Sequence, residues 1–140
     1  MTEHQAHELA AACEAVLLAA LAGALGGCSG ADKPPLPVHV TTISKLAAVF
    51  DQNQLAAEQL LKGHIAEVSG TVKNIDRALN GAPLVVLVVE NALVGAGMEL
   101  SKKDEVRAAA LRPGDQVVLL CKSVETVLSV PVGNDCSIKQ

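Results

Sequence analysis

The chain has no Trp and no Tyr, and Phe50 is its one Phe. Sites that grip sugars, bases or quaternary ammonium groups lean on aromatic faces, so that style of recognition is poorly served. No apolar run is long enough to cross a bilayer: Ala15–Gly27 (AVLLAALAGALGG) stops after 13 residues, against about 20 for a spanning helix. Lys and Arg are missing from the first 27 residues, which hold Glu3, Glu8 and Glu14. The remainder carries 11 basic and 12 acidic residues. Such a balance lacks the cationic field that draws phosphate backbones, and nucleic acid is not an expected partner. The four cysteines (Cys13, Cys28, Cys121, Cys136) show no CxxC spacing, and neither G-x-S-x-G nor H-E-x-x-H occurs. No metal site or cofactor is expected, and no nucleophile–base pattern marks an enzyme. His64 and Glu67 fall three apart in a strand-like stretch, which turns them to opposite faces.

What is present begins with location. Ala15–Gly27 has the length of a secretory h-region and ends in Leu25-Gly26-Gly27-Cys28, followed by the polar, Pro-rich SGADKPPLP. That junction resembles a bacterial lipoprotein signal. The resemblance implies that residues 1–27 are removed, that Cys28 is lipidated, and that residues 28–41 tether a domain to a membrane. The uncharged-to-acidic start departs from the usual cationic n-region. It leaves open a second reading, a cytoplasmic protein whose Leu9, Cys13, Val16 and Leu17 line an amphipathic helix.

The remaining residues, 42–140, have room for one domain, and its core must be Val, Leu, Ile and Ala. Between Thr42 and Leu61, Leu46, Val49/Phe50, Asn53, Ala57 and Leu60/Leu61 recur at helical spacing. Thr41, Thr42 or Ser44 would cap the start, Lys62-Gly63 would close the end, and Asn53 would be a buried amide. IAEVSGTVKNID alternates like a strand, with Ile75 out of phase as at a bulge. Asn80-Gly81 marks a turn, and Pro83–Val89 reads as a strand buried on both faces. A weaker strand covers Asn91–Leu100, and a short helix covers Lys102–Leu111 with Val106, Ala109 and Ala110 inward. Arg112-Pro-Gly-Asp115 is a turn before a strand ending at Cys121, and a last strand spans Val127–Ile138, interrupted by Pro131 and Gly133. The fold class is mainly β: a five-stranded OB-like barrel with an N-terminal helix and a short helix between its third and fourth strands.

The stretch Phe50-Asp-Gln-Asn53-Gln-Leu-Ala-Ala57, then Lys62-Gly63, then Val68-Ser-Gly70-Thr-Val72 and Leu111-Arg-Pro-Gly114-Asp115-Gln-Val117 resembles the tRNA_anti-like OB-fold family of small bacterial lipoproteins and secreted proteins. The resemblance covers roughly residues 45–138 and extends to the Cys121…Cys136 pair. Members often carry aromatics in the third strand, where this chain has Leu93-Val-Gly-Ala-Gly-Met98, and fold does not fix function.

With Cys28 lipidated and Cys13 removed, Cys121 and Cys136 would be left in an oxidising compartment. A bridge there would contribute about 3 kcal/mol; in a cytosol the two would be buried free thiols. Lys102, Lys103, Arg107 and Arg112, with Lys122, form a candidate basic edge, interleaved by Asp104 and Glu105. The function expected is that of an exported, lipid-anchored OB-fold binding module of the cell envelope. It would be held to the membrane by its lipid and meet an envelope protein or small ligand. Two rivals are a single-stranded nucleic-acid-binding OB protein and a phage- or plasmid-type envelope exclusion factor.

Overall fold

In the computed structural model, which describes residues 34–139, the first element is a strand inside the expected tether. β1 (Val38–Thr42) pairs in parallel with the start of β2 (Ile65–Arg77), from Val38 opposite Ile65 to Thr42 opposite Ser69. Residues 38–41, expected to belong to a tether, are therefore part of the sheet. Val-His-Val-Thr-Thr is rich in β-branched residues with alternating exposure, which suits a pleated, half-buried surface. The leader at 1–27, Cys13, Cys28 and the tether as far as Lys33 lie outside the described residues.

The helix expected over 42–61 is two helices. Thr42 caps α1 (Ile43–Gln52), its hydroxyl accepting from Lys45 N at 3.2 Å. α2 (Gln54–Leu61) follows at once, with Asn53 Oδ1 accepting from Ala56 N at 3.1 Å. Asn53 is exposed, not a buried amide. A short amide side chain serves a helix start better than a helix interior, and the extended backbone it adopts divides the stripe. Ile43, Leu46, Phe50, Ala57 and Leu61 still face the core. Lys62 closes α2, and Gly63 takes a φ of +72°, open to glycine without steric cost.

The barrel follows from the strand register. Val72 pairs with Leu87 of β3 (Pro83–Leu87) while Asn74 pairs with Val86, so Lys73 is the extra residue of a bulge, as the phase change at Ile75 predicts. Asn80-Gly81 makes the turn, with Asn80 Oδ1 accepting from Ala82 N at 2.9 Å. β4 (Ala96–Leu100) lies antiparallel to β3 and parallel to β6 (Val130–Ile138). β6 pairs antiparallel with β5 (Gln116–Val127), and β5 returns to the first half of β2. The closed order β2-β3-β4-β6-β5-β2, with a helical segment between β4 and β5, is the expected five-stranded OB-like barrel. β1 is an added sixth strand beside β2.

Four local expectations are corrected. β3 alternates instead of being buried on both faces: Val85 and Leu87 are inside, Leu84 and Val86 partly exposed outside. Leu93 and Val94 are exposed loop residues, and β4 starts only at Ala96. Between the barrel strands, a 3-10 turn (Lys102–Asp104) leads into α3 (Glu105–Ala109). Val106 is 82% exposed there, Ala109 and Ala110 are exposed, and Asp104 and Ala108 turn inward. Three residues per turn in the leading segment rotate the face away from the α-helical phase. The last strand begins at Val130 because Leu128-Ser129 forms the hairpin turn.

The interior is aliphatic and sulfur. Val68, Val85, Leu87, Met98, Leu119 and the cystine are fully buried. Cys121 and Cys136 stand opposite each other on β5 and β6 and form a disulfide, their Cα atoms 3.9 Å apart. A Cβ on Gly133 would lie 2.5 Å from Met98 Sδ and 2.9 Å from each cystine sulfur, so the sulfurs fill the space a side chain would need. Asp104 accepts from Arg107 Nη1 at 3.0 Å and from Ile138 N at 3.3 Å, joining the helical segment to the end of β6.

Candidate binding face

Alternation sends every second strand residue outward, and register decides which of them meet. One outward row across β2, β3, β4, β6 and β5 is Asn74, Val86, Gly97, Val132 and Glu125. The next row sets Asp76 beside Leu84 and Leu84 beside Glu99. The result is an aliphatic centre of Leu84, Val86 and Val132, each partly exposed, inside a rim of carboxylates from Asp76, Glu99 and Glu125. Gly97 keeps that centre shallow and open: a Cβ there would already touch Leu84 at 3.4 Å.

The rim is held in place. Asn80 Nδ2 donates to Glu99 at 2.7 Å and Asn134 Nδ2 to Glu125 at 3.0 Å. Each carboxylate keeps further lone pairs for a ligand. Lys73 stands at the margin with its Nζ donating to Leu93 O at 2.8 Å, and so anchors the β3–β4 loop. Phe50, the chain's one Phe, Tyr or Trp, is 4% exposed in the core, so the outer face stacks nothing. A phosphodiester would meet like charge here, whereas a cationic or amide-bearing chain would meet acceptors.

The residues of the expected basic edge are only partly free. Arg107 is paired with Asp104, and Lys122 with Asp135 at 2.7 Å. Lys102 and Lys103 are exposed on the 3-10 turn, and Arg112 is exposed in the turn before β5. The sequence alone does not single out the outer-face residues. Their signal was the off-phase half of each alternation, and assembling them needs the cross-strand register.

Of the open grooves that adjoin the barrel, two lie beside polar side chains already described. One of about 440 Å³ borders the start of α1, and two of its hydroxyls are engaged. Ser44 Oγ accepts from Glu90 N, and Thr71 Oγ1 accepts from Gln116 Nε2 at 2.6 Å. The other, of about 420 Å³, runs from Asn80 and Glu99 past Ser101 to Lys102 and Asp135 and so adjoins the rim at Glu99.

Comparison with known proteins places this architecture. The tRNA_anti-like family pattern matches residues 5–137. The crystal structure of a candidate nucleic acid-binding lipoprotein from Klebsiella pneumoniae shares the fold. Its TM-score is 0.59 at 14% identity, covering 74% of this chain and 92% of that one. The S. pombe Stn1–Ten1 complex is a looser match, with a TM-score of 0.38 at 15% identity over 54% of this chain and 58% of that one. No curated protein matches the sequence. With the family pattern running from residue 5 through the last barrel strand, the chain belongs to the tRNA_anti-like family.

Proposed function

We propose that this protein is an exported, lipid-anchored binding module whose outer barrel face takes a polypeptide segment bearing apolar and basic side chains. One observation carries the reading: the exposed surface of β3, β4 and β6 combines an aliphatic centre with a carboxylate rim. OB barrels commonly bind through the face that β3 and β4 form here. A chain laid across it would bury its apolar residues on Leu84, Val86 and Val132 and pair Lys or Arg with Glu99 and Glu125. The chemistry is that of binding, not of turnover.

Export is supported by the Leu25-Gly-Gly-Cys28 junction and by the barrel disulfide, a bond that persists in oxidising compartments. The family pattern also begins at residue 5 and so covers most of the stretch we read as a leader. Intact-mass measurement after expression in a Gram-negative host tests this half. The expected product starts at Cys28 and carries added acyl mass; an unprocessed chain with Met1 in place overturns it.

The Klebsiella protein's description favours a second reading, single-stranded nucleic acid as ligand. Fluorescence anisotropy with a labelled oligonucleotide at low salt separates the two. We expect no binding to the oligonucleotide and measurable binding of Lys- and Leu-rich peptides that Glu99→Lys weakens at least tenfold. Salt-dependent oligonucleotide binding that Lys102→Glu abolishes would establish the rival.

A further inference from the structure

We infer that the outer edge of β1 pairs with the same edge of a second copy of this chain, antiparallel and centred on Val40. β1 ends the sheet and, among the described residues, pairs with β2 alone. Hydrogen-bond parity fixes which of its groups are free. Ile65 N donates to Pro37 O at 2.9 Å, and in a parallel pair alternate residues serve a given neighbour. His39 and Thr41 therefore continue the ladder to β2, while Val38 and Val40 turn both backbone groups outward and Thr42, whose carbonyl serves α1, turns out its N–H.

Edges of this kind are normally guarded by charge, proline or a bulge. From Pro34 to Ser44 there is no Lys, Arg, Asp or Glu, and within β1 there is neither proline nor bulge. Val38 and Val40 are 49% and 69% exposed, so the open edge is also apolar. Pro37, without an N–H, bounds the strand on one side, and Thr42, committed to capping α1, bounds it on the other.

These limits choose the occupant. A five-residue window centred on Val40 is self-complementary about a two-fold axis: Val40 faces Val40 and exchanges both backbone bonds with it, and Val38 faces Thr42. No charge opposes a like charge. A two-fold contact also uses the same edge on both copies, so association closes at a dimer.

The test uses the full chain in sedimentation velocity across a wide concentration range. The wild type is expected to dimerise with concentration. Val40→Lys places like charges directly opposite and should weaken dimerisation at least tenfold, with a little-changed melting temperature at dilutions where the wild type is monomeric, because the side chain is exposed there. Mixing Val40→Lys with Val40→Glu should restore a heterodimer, which identifies the contact as Val40 on Val40. A wild type that stays monomeric, a dimer indifferent to Val40→Lys, or a Lys/Glu mixture that stays apart would each overturn the proposal. Glu99→Lys leaves this edge untouched, so failure here is distinct from failure of the peptide-binding reading.

Discussion

Inside the barrel, β4, β5 and β6 meet around sulfur: Met98, the cystine and Gly133 leave no room for one more carbon. Outside, the same three strands present Gly97, Glu99, Glu125 and Val132 to solvent with space to spare. Alternation thus separates two tasks along a single strand. Inward residues set stability, outward residues set what can dock, and substitutions on the two sides should have nearly independent effects.

The sharpest way to break that contrast is to remove the cystine. Cys121→Ala with Cys136→Ala opens a loop of 15-residue separation and should lower unfolding free energy by about 3 kcal/mol, read from the denaturant midpoint. Gly133→Ala comes next. Its Cβ must displace Met98 Sδ or the cystine, and overpacking of this kind costs about 2 kcal/mol, measurable in the same titration. A smaller gain is expected at the hairpin tip. Leu128 has a φ of +50° and Ser129 a φ of +65°, a turn that favours Asn-Gly. Leu128 is 93% exposed, so Leu128→Asn should raise stability by about 1 kcal/mol with no packing lost. The outer face should respond least. Glu125→Lys is expected to change stability by no more than about 0.5 kcal/mol, while weakening cationic-peptide binding in anisotropy. A large stability loss there would erase the distinction between the two sides.

Much of this barrel is legible in the residues because its signals are local. The alternation of Ala66, Val68 and Val72, the phase change before Ile75, and Asn80-Gly81 with its left-handed glycine each act over a few positions. What escapes is decided at a distance or by small changes of pitch. β1 is five residues long and finds its partner from Ile65 onward, so nothing in its own sequence announces the pairing. Asn53 looks like part of an apolar stripe because helical spacing does not reveal where a cap will interrupt it. Val106 is misread as inward because a single 3-10 turn shifts the phase before a helix too short to restore it. The binding face is half visible: each outward residue can be named once its strand is known, but the neighbourhood of Leu84, Glu99 and Val132 exists only through register.

Met98 gives the barrel a built-in clock. Its thioether is sealed from solvent, with Cys121 Sγ at 4.0 Å, and a sulfoxide oxygen has no space beside Gly133. Peroxide can modify it only in molecules whose strands have parted, so the rate of oxygen uptake reports the open population. The chain's other methionine is Met1, and a gain of one oxygen on a peptide containing residue 98 would read that population without a label.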